Sequence, residues 1–64
     1  MIAENIKKIR KKKGISQDKL SKLADVTLTT LTKIESGINT NPTVNTIQKI
    51  AKALDIGVED LLKT

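Results

Sequence analysis

Six of the twelve basic side chains of this 64-residue chain fall within seven consecutive positions: Lys7, Lys8, Arg10, Lys11, Lys12 and Lys13, with Glu4 the only acid in the first thirteen residues. From Gly14 onward six lysines (19, 22, 33, 49, 52, 63) meet six acids, so the net charge of +5 resides in that one segment. A local cationic cluster attracts a polyanion, either nucleic acid or an acidic lipid surface, and it is equally the composition of a solvated helix face. A second group is smaller and nearly uncharged. If residues 28–36 are helical, Thr29, Lys33 and Ser36 share one side, flanked by Leu28 and Thr32. An ammonium donates to guanine O6 and N7, a threonine hydroxyl donates or accepts, and a threonine methyl or a leucine meets a thymine methyl. This group suits base edges better than phosphates, although any exposed helix face is polar.

Other chemistries are excluded by what is missing. Cys and His are both absent, so there is no disulfide, thiolate nucleophile, zinc finger or imidazole base, and no metal site is expected. The seven acids (Glu4, Asp18, Asp25, Glu35, Asp55, Glu59, Asp60) are scattered rather than paired, which leaves no catalytic constellation. No cofactor or small-molecule ligand is indicated. No apolar run approaches the roughly 18 to 20 residues that span a bilayer, and the basic N-terminus lacks the apolar stretch of a signal peptide. The chain therefore reads as a soluble, cytoplasmic protein that is not an enzyme and has no membrane partner.

Presenting either group requires a folded scaffold, and 64 residues suffice for one small domain. Nine Ile, seven Leu, three Val, four Ala and one Met supply every apolar side chain, so the core is purely aliphatic and thin. Apolar positions keep helical spacing throughout, which predicts an all-α fold of five helices at about 2–13, 17–24, 28–36, 44–54 and 58–63. Ile2, Ile6 and Ile9 form the stripe of the first helix, which stops at Gly14. Their place in the core weighs against a membrane-surface role for the basic segment. Ser16 caps the second helix, whose Leu20, Leu23 and Ala24 face inward; Lys19 stands where a capping box has Glu. Thr27 caps the third, with Leu31 and Ile34 buried, and Ser36-Gly37 ends it. Residues 38–42 read as a loop. Thr43 caps the fourth helix, striped by Val44, Ile47, Ile50, Ala51 and Leu54, and Gly57 with Glu59 and Asp60 opens the fifth, carrying Val58, Leu61 and Leu62. About three residues separate helices two and three, too few for a long antiparallel overlap, so the two should cross steeply as a helix-turn-helix.

Gly14-Ile15-Ser16-Gln17, Leu20, Val26-Thr27, Leu31-Thr32, Glu35, Gly37, Pro42, Ile50-Ala51 and Leu54 together carry a resemblance. The chain resembles the phage repressor and Cro-like helix-turn-helix family, also called XRE, from about Ile6 to Leu62. What that implies is a compact five-helix bundle of the lambda-repressor-like DNA-binding type. Two positions depart from the family pattern: Asp25 stands where the turn usually has Gly, and Ser21 where a small Ala is usual. Asp is among the few non-glycine residues that tolerate positive φ, and Ser needs a partner for its hydroxyl if buried.

Carried over by position, the resemblance implies base reading by Thr27, Leu28, Thr29 and Lys33, and phosphate contact by Gln17, Ser36, Asn39 and Thr43. Leu28, at the edge of the core face, is placed equally well against helix two. Arg10 and Glu35 match a structural pair tying helix one to helix three. Among the basic cluster, Lys11 and Lys12 are expected near phosphate. The partner implied is double-stranded DNA, bound by a homodimer on an inverted repeat with half-site centres about 10 base pairs apart, in the manner of a transcriptional repressor. Val58, Leu61 and Leu62 are candidates for the dimer surface, and equally for closing the monomer core. The competing function on the same bundle is a protein-interaction module, such as an antitoxin or adaptor.

Overall fold

The computed structural model describes residues 2–63, in which five α-helices follow one another: α1 (Ile2–Lys12), α2 (Gln17–Ala24), α3 (Leu28–Glu35), α4 (Val44–Ala53) and α5 (Val58–Leu62). The expected order and number hold. α2 has its expected bounds, and each of the others stops one residue short, three of them because Ser36, Leu54 and Lys63 serve as C-caps. Three helices start where a hydroxyl can take a free backbone N–H of the first turn. Ser16 accepts from Lys19 N at 3.0 Å, Thr27 from Thr30 N at 3.1 Å and Thr43 from Thr46 N at 3.1 Å. At α5, whose cap Gly57 has no side chain, the carboxylate of Asp60 instead accepts the Gly57 N–H at 3.3 Å.

The exits are equally local. Asp25 takes the left-handed conformation (φ 56°) at the end of α2, in the place where Gly14 (φ 71°) closes α1. Asp55 (φ 58°) does the same after α4, which the sequence reading had not singled out. In each case the next residue, Ile15, Val26 or Ile56, donates its N–H five residues back, to Arg10, Ser21 or Ala51, and turns its side chain onto the core. This pairing of a left-handed residue with a following apolar contact satisfies the last carbonyls and sets the angle to the next helix.

Ile6, Leu20, Leu31, Ile34, Ile50, Leu54 and Leu61 are fully buried, one or more from each helix, and each contributes about 1.5–3 kcal/mol by leaving water. α2 packs on α3 and α4, α1 on α3 and α5, and α4 on α5. Ser21 is buried as well; its hydroxyl donates to the Asp18 carbonyl at 2.7 Å, which supplies the partner this departure needs.

Two expectations are corrected. Leu23 is 53% exposed, because the inward arc of the short helix α2 is filled by Leu20, Ser21 and Ala24, and Leu23 falls outside it. Val44 lies on the azimuth of the α4 stripe but at its first residue, where no other helix covers it, and is 68% exposed. Of the three residues considered for a dimer surface or for closing the monomer core, Leu61 is wholly in the core, Val58 packs partly against it and Leu62 is 52% exposed. A five-residue helix has one inward side, and the monomer uses it. Among the described residues no helix is long and apolar enough to cross a membrane.

Candidate nucleic-acid interface

The third helix is positioned by charge as well as by packing. Glu35, its last residue, is buried, and an isolated carboxylate there would be strongly disfavoured. Arg10 of α1 meets it side-on: Nε donates to Oε2 at 2.9 Å and Nη2 to Oε1 at 3.0 Å, the two-pronged geometry that guanidinium and carboxylate share. The remaining Arg10 nitrogen, Nη1, donates to the Ile15 carbonyl at 2.9 Å, and Gln17 Nε2 adds a hydrogen bond to Glu35 Oε1 at 3.1 Å. Among the described residues no buried side-chain nitrogen or oxygen lacks a partner. One carboxylate thus gathers the C-terminal part of α1, the first residue of α2 and the end of α3. The pair expected from the sequence is present, and it is buried.

Around this anchor the exposed side of α3 carries Thr29, Lys33 and Ser36, with Thr32 half-buried and Leu28 43% exposed at its edge. Leu28 is therefore available to a ligand rather than enclosed against α2. Thr29 Oγ1 and the Lys33 ammonium have no hydrogen-bond or ion-pair partner among the described residues. Thr27 is occupied by capping: its Oγ1 accepts from Thr30 N and donates to Thr30 Oγ1 at 2.8 Å. Ser36 donates to the Lys33 carbonyl at 3.1 Å, and Asn39 Oδ1 accepts the Asn41 N–H at 3.1 Å, so both shape the loop after α3. Thr43 caps α4 and shares a second hydrogen bond with Thr46 Oγ1 at 2.9 Å.

Gln17 stands at the N-terminus of α2, where free N–H groups and the helix dipole favour an anion. One of its amide hydrogens is held by Glu35 and the other is left for an external acceptor. Lys11 and Lys12 follow Arg10 directly and are exposed, so positive charge sits at the end of α1 that is anchored to the end of α3. The structure thus brings Arg10, Gln17 and Glu35 into one cluster with Ser36 next to it in the chain. It buries Leu61 and leaves Val58 partly covered.

Two contacts escaped the sequence reading. Asn5 Nδ2 donates to the carbonyls of Leu61 and Lys63, at 2.8 and 2.6 Å, and so closes the C-terminal end of α5 from α1. Nothing in the sequence marks it, because its partners are backbone atoms 56 and 58 residues away. The Gln17–Glu35 bond is similar, although Gln17 itself had been singled out.

A family model described as helix-turn-helix matches residues 6–61. Over 62 residues, 97% of its length, the chain is 39% identical to the HTH-type transcriptional regulator SinR of Bacillus subtilis (strain 168), and it spans 56% of that relative. Its backbone is similar to the N-terminal DNA binding domain of SinR from Bacillus subtilis, with a TM-score of 0.94 at 38% identity, covering 100% of this chain and 93% of that one. It is equally similar to SinR, described as the master regulator for biofilm formation, solved in complex with DNA: TM-score 0.94, 38% identity, 98% of this chain and 100% of that one. The chain spans about half the length of the curated SinR it matches.

Proposed function

The chain belongs to the helix-turn-helix family, and on that premise we propose that it is a sequence-specific double-stranded DNA-binding domain of a transcriptional regulator, with α3 entering the major groove. The observation that carries this reading is the exposed side of α3. There a hydroxyl (Thr29) and an ammonium (Lys33) stand unpartnered on a helix whose end is fixed by the buried Arg10–Glu35 pair. A rigid element with free donors is what base reading requires, since the protein's own groups then give up no internal bond on binding. Phosphates are met by the N-terminus of α2 at Gln17, by the loop and α4 cap around Ser36, Asn39 and Thr43, and by Lys11 and Lys12. A relative solved with DNA, alike over nearly the whole chain, supports the DNA-binding reading.

Two copies act together on an inverted repeat, as a repressor, with half-site centres about 10 base pairs apart. Leu62 is the exposed leucine of α5 available to that pairing, because Leu61 belongs to the monomer core. The test is selection from a randomised duplex library at about 50 and 200 mM salt, since phosphate-driven binding falls steeply with salt. Enrichment of an inverted repeat that persists at the higher salt is the expected outcome. Binding without enrichment, lost at the higher salt, would reduce the chain to a basic surface and direct attention to protein partners.

A further inference from the structure

The hydrogen-bonding state of the exposed side of α3 narrows what it can read. Thr27 Oγ1 is engaged with Thr30, Thr32 Oγ1 donates to the Thr29 carbonyl at 2.9 Å, and Ser36 Oγ donates to the Lys33 carbonyl at 3.1 Å. Among the described residues the polar donors left unengaged on this side are the Thr29 hydroxyl and the Lys33 ammonium, beside the 43% exposed Leu28; Thr32 and Ser36 keep acceptor capacity only. No carboxylate and no carboxamide stands among Leu28, Thr29, Thr32, Lys33 and Ser36. The bidentate amide contact that marks adenine, and the carboxylate contact to the cytosine amine, are therefore both missing from this side. Glu35, the one acid of α3, is turned inward and held by Arg10.

Resting on the major-groove reading above, we infer that Lys33 reads a guanine, through O6 and N7, and that Leu28 reads a thymine, through its 5-methyl group, in each half-site. The ammonium is a multiple donor and guanine offers two adjacent acceptors in the major groove; the leucine side chain is apolar and thymine alone offers a methyl there. Thr29, a hydroxyl with a methyl beside it, is compatible with either base and adds little discrimination of its own.

Base analogues separate these contacts atom by atom. In the duplex enriched by the 64-residue chain, each thymine is replaced in turn by deoxyuridine and each guanine by 7-deazaguanine, and affinity is measured for the original chain and for Leu28→Ala and Lys33→Met. One thymine position in each half-site should lose about threefold to fourfold on removal of its methyl, the worth of one buried methyl group. One guanine position in each half-site should lose about fivefold or more on removal of N7. In Leu28→Ala the uracil penalty should vanish and the deazaguanine penalty remain, and in Lys33→Met the reverse. A merely structural defect would weaken every duplex alike and leave both penalties in place. An enriched duplex indifferent to both replacements, or penalties that persist in the matching variants, overturns this assignment alone. Failure to enrich any duplex overturns the major-groove reading and this assignment with it.

Discussion

Arg10 and Glu35, twenty-five residues apart in the chain, form a buried two-pronged ion pair in which each carboxylate oxygen accepts one guanidinium N–H, at 2.9 and 3.0 Å. Removing one partner leaves the other charged and enclosed, which costs about 3–5 kcal/mol. For a chain of this length that is a large share of a total stability of about 3–10 kcal/mol. Arg10→Ala should therefore show a markedly lower urea midpoint and melting temperature. Arg10→Met with Glu35→Leu, which removes both charges and keeps the volume, should regain most of the loss in urea denaturation. An Arg10→Ala variant as stable as the original chain would show that the pair contributes nothing.

Gln17 donates to the same carboxylate from the first residue of α2. Gln17→Ala should cost about 0.5–1.5 kcal/mol, the net worth of one hydrogen bond. Gln17→Glu should cost more, since it sets a second carboxylate against Glu35 in place of a donor. Urea denaturation of both variants at neutral pH decides this, and equal losses in the two would refute the contact.

Asn5 closes the end of α5. Asn5→Ala frees two carbonyls and should cost about 1–3 kcal/mol. The backbone amides of α5 should exchange with deuterium sooner, while those of α2 and α3 change only with global stability. Uniform acceleration across all five helices would mean that Asn5 has no local role.

Lys11 and Lys12 are exposed cations at the end of α1. Lys11→Ala or Lys12→Ala should lower DNA affinity without regard to sequence and flatten the slope of log affinity against log salt by about one unit or less each. An unchanged slope would make them solubilising charge only.

Asp60 is held below its ordinary aspartate value of 3.8 by a hydrogen bond and charge attraction from Lys63, with a smaller contribution from the Gly57 N–H, against some desolvation. A carboxylate depressed in the folded state adds stability that is complete above its unfolded pKa and is lost as pH falls through the folded one. Carbon-detected NMR titration of Asp60 should give a midpoint below 3.8, and in Lys63→Met that midpoint should rise toward it. No movement in Lys63→Met would assign the depression to another group.

Much of the scaffold is legible because it is built from local signals. Ser16, Thr27 and Thr43 each place a hydroxyl three residues before a free N–H, and the hydrogen bonds form within that one turn. The left-handed turn at Asp25 is local too, and the same Asp followed by an apolar residue recurs at Asp55-Ile56. Burial is less local. Leu23 carries the right side chain at a helical spacing from Leu20, yet an eight-residue helix offers one inward arc and its neighbours meet it at Ser21 and Ala24. Leu61 and Leu62 are identical and adjacent, and only packing against the other helices makes one core and the other surface.

By itself the sequence determined the all-helical class, the five starts, the stops to within one residue, the aliphatic core and the basic first helix. These follow from the side chain at a position and its near neighbours in the chain. Tertiary structure alone decided that Glu35 is buried, that Gln17 shares it with Arg10, that Asn5 closes α5, and that Thr29 and Lys33 keep free polar groups where Thr27 and Ser36 do not. Burial and hydrogen-bond partners are properties of what surrounds an atom in space. Groups 18, 25 and 56 residues apart become neighbours only once the helices have packed.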